Sequence, residues 1–394
     1  MGIPVIVSAC RTPIGRFQGG LSPLSAPKLG ALAVAEAVRR AGVDSAAVDE
    51  VLMGTVLQAG QGQNPARQAA LGGGIPDSVA ATTINKVCGS GLETVMRAAQ
   101  AIKAGDSEIC VAGGMESMTN APYTLPQARA GQRLGNGQLV DSLVADGLWD
   151  VYEDFHMGMT AELVASEYGV TREQQDVWAA QSQERAVAAQ NAGKFDAELF
   201  SVEVPGRKGQ VTVVDRDEGP RPETTLESLA KLRPVFKRDG GTVTAGNSST
   251  INDGAAALVV MDEARAASLG LKPRARILGY ATGGLAPKWV MMTPKVAFEK
   301  LCALTSIALP DFELVEINEA FAAQLVALTR KLELDPDRVN VHGGAIALGH
   351  PIGCSGARVL TTLIHALEDR GLSRGACGLC LGGGNAVAMA VEMM

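Results

Sequence analysis

The feature that most limits the fold of this chain is an internal duplication. The segment ICVAGGMESM, from Ile109, resembles LCLGGGNAVAM, from Leu379, and Ser90-Gly91 pairs with Ser355-Gly356, each pair ahead of a helical stretch. The hydrophobic pattern predicts a strand at 49–55, a helix near 64–71, a strand at 80–85, a helix over 91–104 and a strand at 108–113. The later part repeats this order, with a strand at 312–317, a helix at 319–332, a loop, a helix at 355–369 and a strand at 376–381. Such self-similarity points to a duplicated α/β unit. The strands read apolar on both faces and alternate with helices, so the sheets should be covered on both sides. A chain of 394 residues, 46% of them hydrophobic, has enough apolar material for two or three domains. Its 46 glycines and 4% aromatic content fit tight turns and close backbone approaches better than a bulky aromatic core.

Between the two copies, over roughly 119–249, the texture changes. A polar, glycine-rich stretch opens it, and a long helix follows that Thr171 and Gln174 start as a capping box and Gly193 ends. Residues 207–238 hold eight Lys/Arg interleaved with acids. They read either as cationic spots for an anionic ligand or as ordinary solvated surface. The chain therefore divides into an N-terminal half of 1–118 plus about 250–270, an insertion of 119–249 and a C-terminal half of 271–394.

Several function classes are disfavoured. The net charge of −7 argues against nucleic acid, and no apolar run approaches the roughly 20 residues of a membrane helix. The chain opens in a β-like run at 4–7 without a basic and then apolar leader, so no secretory signal is expected. Seven scattered cysteines suggest packed thiols in a reducing compartment, by default the cytoplasm. Cys377 and Cys380 have C-x-x-C spacing but precede a glycine turn rather than a helix, and there is no second pair at zinc spacing. The G-x-S-x-G string from Gly371 lies between a helix and a strand, the reverse of a nucleophile elbow. There is no phosphate-binding glycine loop and no G-x-G-x-x-G opening a helix.

Three further residues could carry chemistry. Cys88, in INKVCGSG, lies between a strand and a helix whose first turn contains Gly89 and Gly91. A helix N-terminus there would stabilise a thiolate, although a buried packing cysteine fits the same position. His350 sits between Gly349 and Pro351 on a shaped loop, where a general base is as natural as a structural histidine. Cys380 is followed by three glycines whose N–H groups are free to face an oxyanion. His342 is expected to close a short strand and His365 to lie in a helix as a surface or packing residue, while His156 reads equally as substrate-facing or structural.

Taken together these segments resemble the thiolase family over the whole chain. NKVCGSG around Cys88, NEAFA from Asn318, and GGAIALGHPIGCSGAR from Gly343 with CLGGG from Cys380 carry the resemblance in that order. It implies a five-layer α-β-α-β-α sandwich of two similar halves, with the insertion as a CoA-binding loop domain. By the same resemblance Cys88 is the acylated nucleophile, His350 its base, and Cys380 the second acid/base. Asn318 would hold a water in one oxyanion hole, and the N–H groups of Cys88 and Gly382 would form the other. Arg221, Ser228 and Ser249 fall where the family contacts CoA, and Leu148, His156, Met157 and Phe321 where it lines the pantetheine and acyl end. The implied activity is the reversible Claisen condensation of two acetyl-CoA, in a homodimer or homotetramer. Neither metal nor cofactor is expected, CoA being substrate and product.

The rival readings are a degradative thiolase for longer 3-oxoacyl chains and a non-catalytic CoA or lipid carrier. A decarboxylating ketosynthase of the same fold would pair its cysteine with two histidines, and here the third position is Cys380. One stretch departs from the family, which usually carries Met-Gly-x-Gly-Pro where this chain reads Val290-Met291-Met292-Thr293-Pro294. The lost glycines demand a less permissive backbone and a reshaped acyl wall.

Overall fold

Eight consecutive buried residues, Pro4–Arg11, form a strand, β1, that no solvent-facing edge could accommodate. The structure, a computed structural model, describes residues 2–394. The N-terminal half continues with α1 (Ala26–Ala41), β2 (Glu50–Gly54), α2 (Pro65–Gly72), β3 (Ala80–Ile84), α3 (Ser90–Ala104) and β4 (Ile109–Ser117). An inserted segment carrying α4 (Met157–Glu167), α5 (Arg172–Asn191) and α6 (Leu226–Ala230) leads back to β5 (Asn252–Asp262). The C-terminal half contains β6 (Ala275–Gly284), α7 (Thr293–Thr305), β7 (Leu314–Ile317) and α8 (Ala322–Lys331). A single turn, α9 (Ala345–Leu348), then precedes α10 (Ser355–Arg370), β8 (Arg374–Leu381) and β9 (Asn385–Met393).

The strands hydrogen-bond in the order β7-β8-β9-β6-β1-β5-β4-β2-β3, with the short strand Gly15–Arg16 beside β5. Two leaves meet at the seam between β1 and β6, which holds only the pairs Val5↔Arg276 and Ile6↔Ala275. Helices α3 and α10 pack on each other and touch strands of both leaves; α1 and α2 cover one outer face and α7 the other. The product is a five-layer α-β-α-β-α sandwich. The two middle helices approach closely because glycines face the contact. A Cβ on Gly91 would lie 2.7 Å from the backbone N of Ala357, and one on Gly356 would lie 2.3 Å from that of Leu92. The repeated Ser-Gly pair thus marks where the two halves dock.

The insertion is seated by buried charge. Arg11 is fully enclosed, and its guanidinium meets Asp217 through two bonds of 2.6 and 2.9 Å and Glu198 through one of 2.7 Å. Removing one partner of such a group typically costs about 3–5 kcal/mol. Helix α5 starts at the expected capping box, with Thr171 Oγ1 accepting the Gln174 N–H and Gln174 Oε1 accepting the Thr171 N–H.

Two elements differ from expectation. Helix α8 begins at Ala322 rather than 319 because Glu319 turns inward. Its carboxylate accepts from Trp178 Nε1 (3.0 Å), Ser182 Oγ (2.7 Å), Asn340 Nδ2 (3.0 Å) and the Ile346 N–H (3.2 Å), tying α5 to the loop before His350. The short strand expected to close at His342 is reduced to one bridge, Val315 to Val339, and His342 lies buried in the following turn against the edge of Phe195.

Candidate active site

Cys88 is presented by a strained turn. Val87, a β-branched residue, has φ +47°, a conformation such residues seldom adopt. The surroundings hold it there: Asn85 Oδ1 accepts from the Val87 N–H at 3.0 Å. Ser90 Oγ accepts from the Lys86 N–H at 2.8 Å and donates to the Val87 carbonyl at 2.6 Å. Helix α3 begins two residues past the cysteine, and Cys88 lines a cavity of about 610 Å³ together with His350 and Cys380.

His350 is held as firmly. Gly349 has φ +110°, and a Cβ there would stand 2.4 Å from the Asn252 side chain. Asn252 Oδ1 instead accepts the His350 N–H at 3.0 Å, while its Nδ2 donates to the Gly15 carbonyl. The ring Nδ1 lies 2.6 Å from Ser355 Oγ, whose own proton goes to the Pro351 carbonyl at 2.9 Å. Nδ1 therefore carries the ring proton, which leaves Nε2 as the free base. Asn318 Nδ2 sits 3.4 Å from Nε2, and its Oδ1 is buried without a protein partner.

Electrostatics give this pair its resting state. Cys88 keeps an opening to the cavity, but the protein packed around it pushes the thiol up to about 12, against the pull of the N–H groups of Gly382 and of Cys88 itself. Burial, helped by the positive Arg358, holds His350 down to about 3. Near neutrality the pair is a neutral thiol beside a neutral imidazole. At Cys88 desolvation outweighs the pull of the nearby N–H groups at the start of α3.

Cys380 is the penultimate residue of β8 and is buried, and burial followed by the facing Cys88 raises its thiol well above the ordinary range. Gly382 lines the same cavity. A buried carboxylate braces the region: Glu116 accepts from Thr55 Oγ1 (2.9 Å) and from the N–H groups of Val56 (3.0 Å), Leu57 (3.2 Å) and Gly353 (2.9 Å). It joins the loop after β2 to the loop of His350, and burial still pushes it up to about 7.

Of the residues expected to meet CoA and the acyl group, Leu148, His156, Met157, Phe321, Ser249 and Arg221 all line the cavity. His156 caps α4, its Nδ1 accepting the Gly158 N–H at 3.1 Å, so its Nε2 proton is free for a ligand. Its ring stacks on Phe236 at 4.7 Å, and Phe236 meets Phe321 edge-on at 6.2 Å. Ser228 stands apart from these. It is exposed and outside the cavity wall, and its hydroxyl closes the capping box of α6 with Thr225. Arg221 is the one cation of 207–238 whose side chain is described as lining the cavity, and Lys208, Arg216, Lys231, Arg233, Lys237 and Arg238 are solvated surface. The altered stretch forms a 3-10 turn, Pro287–Met292, from which Val290 and Met291 line the cavity. His365 is a packing residue, buried with Nε2 3.1 Å from the Ala9 carbonyl.

Sequence reasoning missed Arg16 and Phe17 at the cavity, Phe236 in its aromatic wall, and the supports Ser355, Asn252, Glu116 and Gln324. The Ser-Gly repeat pointed at Ser355, but only as punctuation.

Family models described as "Thiolase, N-terminal domain" and "Thiolase, C-terminal domain" match residues 4–264 and 271–393. The chain is 54% identical over 388 residues to an acetyl-CoA acetyltransferase of Cupriavidus necator, covering 98% of both chains. It is 53% identical over 391 residues to one of Escherichia coli, covering 99% of both. The crystal structure of the Bacillus anthracis acetyl-CoA acetyltransferase superposes with a TM-score of 0.98 at 44% identity, covering 100% of this chain and 99% of that one.

Proposed function

This chain belongs to the thiolase family, and from that premise we propose that it is an acyltransferase joining two acetyl-CoA into acetoacetyl-CoA and CoA, reversibly. The observation that carries the reading is the convergence of Cys88, His350 and Cys380 on one cavity whose wall includes Arg221, His156 and Phe321. Thioester exchange between thiols is nearly balanced in energy, which suits a cysteine nucleophile in a reversible enzyme.

In the condensing direction His350 Nε2 takes the Cys88 proton as the sulfur attacks the first acetyl-CoA, and the N–H groups of Cys88 and Gly382 stabilise the tetrahedral oxyanion. CoA leaves as a thiol with a proton from Cys380. The Cys380 thiolate then removes a proton from the methyl of the second acetyl-CoA, and Asn318 with the His350 ring stabilises the enolate oxygen. The enolate carbon attacks acetyl-Cys88, and collapse of the adduct returns the sulfur to the thiol with the proton held by His350. CoA is substrate and product, and no further cofactor enters these steps. Arg16 and Arg221 give the cavity mouth positive charge for the CoA phosphates.

We also place the enzyme in the cytoplasm as a homodimer or homotetramer. Seven free cysteines suit a reducing compartment, and exposed Tyr123, Leu134 and Leu139 suit an interface between copies. No helix among the described residues is long and apolar enough to cross a membrane. The test of the activity is thiolysis of 3-oxoacyl-CoA by CoA in a chain-length series. Turnover greatest with acetoacetyl-CoA is expected; preference for long chains would favour the degradative reading, and no turnover would leave a carrier.

A further inference from the structure

Cys380 must change protonation state twice in each cycle from a setting that opposes its ionisation. It gives its proton to the CoA sulfur that leaves when Cys88 is acylated. As a thiolate it next takes a proton from the methyl of the second acetyl-CoA, whose freed electron pair makes the new carbon–carbon bond. The groups of variable charge around the sulfur are Cys88, His350 and His156, which line the same cavity, with Arg16 and Arg221 on its wall. Glu316 and Arg358, behind the strand on β7 and α10, act on the neighbouring Cys377. Of these groups Cys88 faces the Cys380 sulfur, and its charge disfavours a second negative charge there.

One side chain works the other way. Gln324, in the first turn of α8, is fully buried and donates its Nε2 hydrogen to Cys380 Sγ at 3.3 Å. We propose that Gln324 is a positioning residue for Cys380, holding its sulfur and stabilising the thiolate that forms in each turnover. This rests on the acid/base role assigned to Cys380 above. A hydrogen bond of this kind strengthens when its acceptor becomes an anion. A neutral amide is better suited than a lysine or arginine, because a fixed cation would hold Cys380 as a permanent thiolate and remove the proton that the departing CoA needs. The opposing influences on the sulfur have that sign: burial and the facing Cys88 push the thiol up, and the Gln324 hydrogen bond pulls it down.

The experiment reads the acidity of Cys380 directly. In a full-length Cys88→Ala background, iodoacetamide alkylation of the Cys380 peptide is followed by mass spectrometry against pH, with Gln324 intact, as Gln324→Met and as Gln324→Glu. The half-buried Cys302 serves as an internal control. Both substitutions should move the Cys380 rate curve up by about one pH unit or more, at least about tenfold slower at a fixed pH below the midpoint, with Cys302 unchanged. With Cys88 restored, kcat for thiolysis should fall about tenfold while KM for CoA stays within about twofold. Cys380 alkylating at the original rate overturns the proposal. So does faster alkylation, whether of Cys380 alone, which would put the amide oxygen against the sulfur, or of Cys302 as well, which would mean that Gln324 only packs. Failure of the underlying acid/base role is a separate result, seen as undiminished turnover in Cys380→Ser.

Discussion

Replacing Ser355 by alanine removes the oxygen behind the His350 imidazole, together with its bond to the Pro351 carbonyl. Ser355 is fully buried, starts α10, and stands 2.6 Å from His350 Nδ1. Alanine is a good helix former and smaller than serine, so the helix should persist. The loss falls on Nδ1–H, which is left buried without an acceptor. A hydrogen bond to a charged group is worth about 1.5–3 kcal/mol, and the ring becomes charged only when it accepts the Cys88 proton. That loss is therefore felt in the transition state for acylation rather than in substrate binding, and corresponds to a slowing of about 10- to 150-fold. The assay is rapid-quench measurement of acetyl-Cys88 formation from acetyl-CoA, with KM measured alongside and Ser355→Thr as the variant that restores the hydroxyl. Acylation within about twofold of the original rate would show that Ser355 neither sets the tautomer nor carries imidazolium charge, and the assignment of Nε2 as the base would fall with it.

Other outcomes follow from the same geometry. Cys380→Ser keeps the shape but not the acidity, so acetylation of Cys88 should persist while steady-state turnover falls by about a hundredfold or more; turnover near the original would make Cys380 a packing residue. Because burial keeps His350 neutral well below its ordinary value, the acylation rate should hold as pH falls through about 6.5 toward about 5, and a limb falling at about 6.5 would contradict the desolvated imidazole. Val290 and Met291 line the cavity, so wild-type enzyme should tolerate five- and six-carbon 3-oxoacyl-CoA and Val290→Met should reject them about tenfold more strongly, at roughly 1–3 kcal/mol per methylene. Equal chain-length profiles for the two proteins would mean that Val290 does not face the acyl group.

The fold was legible where it depends on local pattern. Strand and helix periodicity located β2 to β4 and α10 to within a few residues, and the Thr171 capping box located the start of α5. Cys88 stood out because glycines and a strand-to-helix boundary surround it in sequence. What stayed hidden depends on tertiary neighbours. Gln324 meets Cys380 across 56 residues and Glu116 meets Gly353 across 237, separations at which no spacing rule applies. Glu319 looked like a helix residue until its four donors, two from α5, pulled it inward. Ser228 shows the converse, since Thr225 and Ser228 carry a capping signal that is local in sequence and closes at the start of α6. The protonation states of Cys88 and His350 were not legible at all, because desolvation is a property of everything packed around a group.

The central claim is that Cys88 carries the acyl group, and the most direct measurement is to trap it. Enzyme mixed briefly with acetyl-CoA, quenched in acid and digested should yield a single acetyl group on the peptide containing Cys88, absent from Cys88→Ala, which should also have lost both thiolysis and condensation. An acetyl group on Cys380 or on any other cysteine, or persistence of turnover in Cys88→Ala, would contradict the account.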